Sequence, residues 1–185
     1  MTNEGHHRAF RSIALIGYRG CGKSAVGREL SVLSGLPLVD TDDLIAQKAG
    51  KSIARIFAQE GEAEFRRLER IAVAEAAGGP RSIISVGGGA VQDDRNVAAL
   101  KASATVVWLT APADELIRRI RGDQTSPQTR PPLTDQPLED EVERLLAERT
   151  PFYRKAADHV LDTANRSPAA VAKLLGQQLG LDIDG

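Results

Sequence analysis

"GYRGCGKS", residues 17–24, follows the short apolar run "SIALI" and precedes a helical pattern. No other stretch limits the fold so tightly. Gly17-x4-Gly22-Lys23-Ser24 is the complete Walker A pattern, standing where such a loop must, between a strand and a helix. The glycines let the backbone curl until successive N–H groups point into one concavity, and the following helix adds the positive end of its dipole. In that arrangement Lys23 reaches the β- and γ-phosphates of a nucleotide, and Ser24 offers its hydroxyl to Mg²⁺. Cys21, the sole cysteine, reads as a small loop residue and not as a nucleophile, since no histidine is close in sequence.

The rest of the chain repeats the strand-then-helix order that the loop introduces. Apolar, β-branched runs recur at "RSIALIGY", "LPLVDTD", "RSIISVGGG", "ATVVWLTA" and "DHVLDT". Helical patterns lie between and after them at 23–35, in two stretches across 41–60, and at 62–78, 95–103, 112–122, 138–157 and 167–180. This alternation predicts a parallel sheet covered by helices on both faces, in an α/β chain whose strands are buried on both sides. A length of 185 residues suits one domain spanning 1–185. The stretch 121–140 departs from the rule: it is polar, proline-rich and without period, the mark of a functional or mobile loop.

Composition removes several classes. A net charge of −1 gives no basis for binding nucleic acid or an anionic membrane wholesale. No apolar run approaches the ~18–20 residues of a membrane span. "MTNEGHHRAF" has no signal-peptide core and reads as a flexible tail over 1–10, its histidine pair incidental. One cysteine permits no internal disulfide, which fits a reducing compartment, so the expectation is a cytoplasmic protein. No helix shows a large unexplained apolar face, and a monomer is expected.

Three further features carry chemistry. "VDTDD", residues 39–43, places acids at the end of the second strand, facing the crevice where α/β proteins bind ligands. Asp40 and Asp42 alternate, so in extended chain both point one way, while Asp43 points elsewhere or caps a helix beginning at Leu44. With a phosphate loop in the chain, a magnesium-anchoring and substrate-orienting pair is the better account than three capping acids. The strand "IISV" then runs into Gly87-Gly88-Gly89, where many phosphate-loop proteins carry a magnesium-binding Asp. That leaves Asp40 as the acid for the metal, and glycines suit close approach of backbone to a small polar ligand. A guanine-reading NKxD motif is also missing, which counts against a GTPase.

The last feature is a set of arginines. Val142, Leu145, Leu146 and Arg149 share one helical face, and a charge aimed along an apolar stripe asks for an anion. Arg66 reads differently. The apolar face of its helix is Phe65, Leu68, Ile71 and Ala72, so periodicity makes Arg66 a solvated residue paired with Glu62. Arg130 sits in the polar loop, after Arg118, Arg119 and Arg121, where mobile arginines suit phosphoryl-transfer charge.

Together these residues resemble the shikimate kinases. The resemblance runs from about Ser12 to about Leu179, through "GYRGCGKS", "DTDDLI", "IFAQEGEAEFRRLE", "SVGGGAV", "RPPL", "ERTPFY" and "ANRSP", in the family's order. It implies the three-layer α/β/α P-loop kinase fold: a five-stranded parallel sheet, substrate-binding helices over 41–78, and a mobile lid over 121–140. It implies transfer of phosphate from ATP, with Mg²⁺, to the 3-hydroxyl of shikimate in aromatic amino acid biosynthesis. Gly20, Cys21, Gly22, Lys23, Ser24 and Ala25 then wrap the ATP phosphates, with Ser24 and Asp40 holding the metal. Asp42 orients or deprotonates the attacked hydroxyl. Arg66 and Arg149 clamp the carboxylate, against the periodicity reading of Arg66, and Gly87, Gly88 and Gly89 line the acceptor. Arg130 arrives on the lid, Arg166 and Pro168 border the adenine, and Arg119 stacks on its other face. Two departures stand out: the stretch from Arg121 to Arg130 is longer than the family's usual lid, and "RPPL" replaces the common "RPLL". A related small-metabolite kinase, such as gluconate kinase, and a non-catalytic nucleotide-binding module are the rival readings.

Overall fold

The computed structural model describes residues 11–123 and 137–182. The expected tail over 1–10, Arg130 and most of the expected lid lie outside the described residues.

All five expected strands form: β1 (Ser12–Ile16), β2 (Leu38–Asp40), β3 (Ile83–Ser85), β4 (Ala104–Thr110) and β5 (His159–Asp162). They make one parallel sheet in the order β2-β3-β1-β4-β5, with Ile13 opposite both Ile83 and Thr105. β1 and β3 are buried along their whole length, as their unbroken apolar runs require, and the edge strands β2 and β5 are more open. The chain moves from β1 toward β2, returns to β3, then crosses to β4. The order therefore reverses at β1, and a ligand crevice opens beyond its carboxyl end, where the phosphate loop stands.

The helices are α1 (Lys23–Ser34), α2 (Thr41–Ala49), α3 (Ile53–Gly78), α4 (Asp94–Ser103), α5 (Ala113–Gly122), α6 (Leu138–Ala156) and α7 (Pro168–Leu179). Gly61, at φ 81° and ψ 176°, breaks α3 into the two segments that the sequence pattern separates. None of the helices in the described residues is long and apolar enough to cross a membrane. A main core gathers the strands with Val26 and Leu30 of α1, Val142 and Tyr153 of α6, and Val171 and Leu175 of α7. Ile45, Ile56, Phe65, Leu68 and Ala72 form a smaller cluster between α2 and α3, fixing those helices to each other.

Two local expectations need correction. α2 begins at Thr41, not Leu44, and its cap is Asp40, whose side chain accepts a hydrogen bond from the Asp42 N–H at 3.0 Å. Asp42 thus stands in a first helical turn, and strand alternation does not set its direction. On α3, Ile71 is 40% exposed while Glu69 is only 2% exposed. The buried stripe runs through Phe65, Leu68, Ala72 and Val73, and a carboxylate occupies an inward position that hydrophobic periodicity assigns to no acid.

Candidate active site

The phosphate loop is built by glycine at two demanding points. Gly17 has φ 140°, and a Cβ there would lie 2.3 Å from the Leu109 carbonyl oxygen, so no other residue fits. Gly22 caps α1 at φ 97° with no side-chain acceptor, whereas α2, α3, α4 and α7 are capped by Asp40, Ser52, Asp93 and Ser167. An anion suits the place that those side chains take elsewhere. Lys23 is buried, and its Nζ donates to the carbonyls of Gly17 at 2.8 Å and Tyr18 at 3.1 Å, holding the loop in its curl. Ser24 Oγ donates to Asp40 Oδ2 at 2.8 Å and lies 3.3 Å from Ser85 Oγ.

Beside the loop opens a cavity of about 420 Å³. Its wall carries Arg19, Asp42, Phe57, Arg66, Glu69, Gly87, Gly88, Gly89 and Arg149. Gly87 and Gly89 are crowded by their neighbours rather than required by backbone strain. A Cβ on Gly87 would lie 3.0 Å from oxygens of both Asp42 and Glu69, and one on Gly89 2.8 Å from Arg66 Nη1. Gly88 is pinned from behind, where the Tyr153 hydroxyl donates to its carbonyl at 2.5 Å. Burial holds the Tyr153 phenol above its usual range.

Arg66 makes the Glu62 pairing that periodicity expects, but it is half-buried and not fully solvated. Its Nε and Nη2 donate to Glu62 Oε1 at 3.2 and 3.1 Å, as periodicity expects, while Nη1 donates to the buried Glu69 Oε2 at 2.8 Å and the side chain lines the cavity. Burial works to lower the Arg66 pKa, but Glu69 and Glu62 overcome it, and the net direction is upward. Glu69 is pushed up, chiefly by burial and slightly by Asp42, against the pull of Arg66 and Arg149. Arg149 is 8% exposed, on the apolar stripe of α6 as expected. Its guanidinium lies 5.7 Å from the Tyr18 ring centroid, and its Nε is buried without a partner among the described residues.

A second cavity, of about 320 Å³, lies on the other side of the loop. Cys21, Gly22, Ala25, Arg118, Arg119, Arg166 and Pro168 line it. Arg119 is fixed there by hydrogen bonds to Glu115 Oε1 at 2.7 Å, the Gly20 carbonyl at 3.3 Å, and Thr163 Oγ1 and O at 3.0 and 2.7 Å. The sequence-derived site residues that are described therefore fall around one loop with a cavity on each side; Arg130 lies outside the described residues. Among the described residues, no group of three or more His, Cys, Asp and Glu side chains forms a metal cage.

The family model for shikimate kinase matches residues 19–179. The chain belongs to the shikimate kinase family. A shikimate kinase of Rhodopirellula baltica is 44% identical over 153 residues, which cover 83% of this chain and 82% of that protein. Shikimate kinase 2 of Dickeya chrysanthemi is 41% identical over 171 residues, 91% of this chain and 96% of its own. Among solved structures, shikimate kinase from Acinetobacter baumannii in complex with shikimate superposes with a TM-score of 0.85 at 32% identity, covering 92% and 94% of the two chains.

Sequence reasoning misses four residues of this site. Glu69 stands three residues after Arg66, a spacing that could have announced the pair. Tyr153 and Thr163 act through hydrogen bonds across the fold, and no local pattern announces them. Arg19 is in plain view inside the loop, but only the folded chain shows its side chain on the wall of the larger cavity.

Proposed function

We propose that the protein transfers the γ-phosphoryl group of ATP to the 3-hydroxyl of shikimate, releasing ADP and shikimate 3-phosphate. The observation that carries this reading is the larger cavity. It joins an acid, Asp42, to two guanidinium groups, Arg66 and Arg149, directly beside a phosphate loop. A small hydroxylated carboxylate suits that wall: the guanidinium forks pair with the carboxylate, and Asp42 accepts from a hydroxyl. Phe57 and the glycine backbone give the carbon ring a flat seat.

The loop N–H groups and the start of α1 would take the phosphates, and Lys23 would exchange its bonds to the Gly17 and Tyr18 carbonyls for phosphate oxygens. The acceptor oxygen then bonds to the γ-phosphorus as the bond to the bridging β,γ-oxygen breaks and leaves with ADP. The hydroxyl proton passes to the Asp42 carboxylate. Catalysis here is positioning plus charge stabilisation around a loose transition state. The smaller cavity would hold adenine, with Pro168 and Arg166 at its border and Arg119 on the opposite side.

Ser24 and Asp40 fit Mg²⁺: they are hard oxygen donors already touching each other, as suits an ion shared with nucleotide phosphates and water. When bound, Mg²⁺ neutralises charge on the phosphate oxygens. We place this reaction in aromatic amino acid biosynthesis and expect a cytoplasmic monomer, which size-exclusion chromatography with light scattering tests for subunit number.

ADP release coupled to a dehydrogenase, with shikimate and gluconate as alternative acceptors, tests the function. Turnover of gluconate and not of shikimate refutes it. Binding of shikimate without ATP-dependent turnover would instead favour a non-catalytic module. In the same assay Asp42→Asn leaves ATP binding within about threefold and lowers kcat by about 10²-fold or more, the range of general-base loss. Unchanged turnover removes Asp42 from this role.

A further inference from the structure

Arg19 has a backbone in one half of the site and a side chain in the other. It is the third residue of the loop that opens with Gly17, so its backbone belongs to the phosphate cradle. Its side chain lines the acceptor cavity with Asp42, Gly88 and Arg149. The backbone nitrogen of Arg19 lies 3.6 Å from where a Cβ on Gly88 would stand, so loop and glycine triplet touch at this point.

The guanidinium is held. Arg19 Nη2 donates to Glu141 Oε1 in the first turn of α6, and the two side chains are only 12% and 1% exposed. Arg19 Nε is buried with no partner among the described residues. An ion pair buried this deeply is weak evidence of a purely stabilising role, because desolvation of both charges consumes most of the attraction. A guanidinium has five N–H donors in a rigid fork, so a bond to Glu141 Oε1 is compatible with meeting an anion as well.

The chemistry of the cavity supplies that anion. Among the described residues, the cations on its wall are Arg19, Arg66 and Arg149. If Arg66 and Arg149 bind the substrate carboxylate, a task is left when the phosphoryl group arrives on the acceptor and brings its negative charge into the same space. Lys23 lies inside the loop and serves the phosphates of the nucleotide. Arg19 is the cation that loop and cavity share.

We infer that Arg19 binds the phosphoryl group as it is transferred and after it reaches the acceptor, with Glu141 as the positioning residue that aims the guanidinium. This rests on the function proposed above. The inference separates Arg19 from Arg66 and Arg149, which meet the acceptor before and after reaction alike.

Calorimetric titration of the full chain with shikimate and, separately, with shikimate 3-phosphate tests it. Arg19→Met weakens shikimate 3-phosphate by about tenfold or more and shikimate by less than about threefold, as expected for loss of a charge-assisted bond to phosphate alone. In turnover, kcat falls by about tenfold or more while KM for shikimate stays within about threefold, the signature of an interaction made in the transition state. Glu141→Gln moves both quantities in the same direction by less, and the double variant is no worse than Arg19→Met alone. Should Arg19→Met fail to fold, Arg19→Lys keeps the charge without the fork and shows the same preference for shikimate over its phosphate, reduced in size. Equal weakening of both ligands overturns the inference, as does a lowered Tm with unchanged binding and kcat, which marks a purely structural ion pair. Wild-type protein that releases no ADP with shikimate defeats the proposed function and this inference with it. Active wild type with an equally active Arg19→Met defeats the inference alone.

Discussion

Replacing Arg149 with methionine separates what the residue does for the substrate from what it does for the fold. Arg149 is 8% exposed and its Nε has no partner among the described residues. An unsatisfied buried donor of this kind costs the free protein about 1–3 kcal/mol. Against that stand its attraction to Glu69, its interaction with the Tyr153 phenol, and its place 5.7 Å from the Tyr18 ring centroid, a contact worth roughly 0.5–2 kcal/mol. Methionine retains most of the stem along the stripe of Val142 and Leu145 and removes the charge. Glu69 keeps its 2.8 Å bond to Arg66, so no carboxylate is stranded. The two sides nearly cancel, and the variant should gain about 0–1 kcal/mol, or roughly 0–4 °C in Tm for a chain of this size.

The substrate feels the change in full. Each hydrogen bond between a guanidinium and a carboxylate contributes about 1.5–3 kcal/mol, so losing one fork should cost about 2–4 kcal/mol. In KM for shikimate that is a rise of about 30- to 1,000-fold, while KM for ATP stays within about threefold. Scanning fluorimetry of the free protein and coupled ADP release on the same preparation read the two effects. A Tm lowered by more than about 3 °C would show that Arg149 is a structural cation. A shikimate KM within about threefold of wild type would show that the carboxylate is bound elsewhere.

The other predictions concern the walls around that clamp. Gly89→Ala pushes a methyl group to 2.8 Å from Arg66 Nη1, and because the guanidinium is the end of a flexible side chain it retreats by a few tenths of an ångström. KM for shikimate should rise about tenfold with Tm unchanged, a misplacement effect that steady-state kinetics reads directly. Tyr153→Phe deletes the 2.5 Å bond to the Gly88 carbonyl and leaves a partly buried acceptor unpaired, so Tm falls by about 2–6 °C for a loss of about 1–2 kcal/mol. Glu69 is pushed above the usual carboxylate value of 4.5 by burial, so the folded state binds its proton more tightly than the unfolded chain does. That contribution to stability is fully present below the unfolded value and is lost as pH rises through the folded one. Urea unfolding from pH 4.5 upward should therefore show a fall in stability that Glu69→Gln flattens; an identical profile in the variant assigns the slope to other groups.

The sequence already contained the sheet and the phosphate loop, because both rest on local signals. Unbroken β-branched runs mark strands buried on both faces, and a glycine pattern between strand and helix marks the loop. Arg149 was legible because a charge on an apolar stripe contradicts the stripe. Glu69 was hidden by the opposite accident. One position to either side of it the helix carries Leu68 and Arg70, and an average over the face cannot show which member of the pair 69 and 71 turns inward. The bond from Tyr153 to Gly88 spans 65 positions, and Arg19 with Glu141 spans 122. Pairs of that separation exist only once the sheet order has brought α6 over the loop, and no window along the chain contains both members.

The absent acid at the end of β3 has a structural reason once the register is known. Asp40 and Ser85 are paired across β2 and β3, and Ser24 Oγ lies 2.8 Å from the first and 3.3 Å from the second. An acid on the β2 side therefore meets the same Ser24 hydroxyl that an acid at Ser85 would meet, one strand away. The exchange leaves the end of β3 free of charge. Gly87 donates its N–H to Thr41 at 3.0 Å, Gly88 is held by Tyr153, and the following backbone becomes cavity wall. A carboxylate at Ser85 would add its charge next to Asp40 in a buried place, and one of the two acids would then be driven to take up a proton. Ser85→Asp should consequently weaken the free fold and fail to improve Mg²⁺-dependent turnover. A variant with unchanged Tm and higher turnover would show that the two strand ends are not competing for one position.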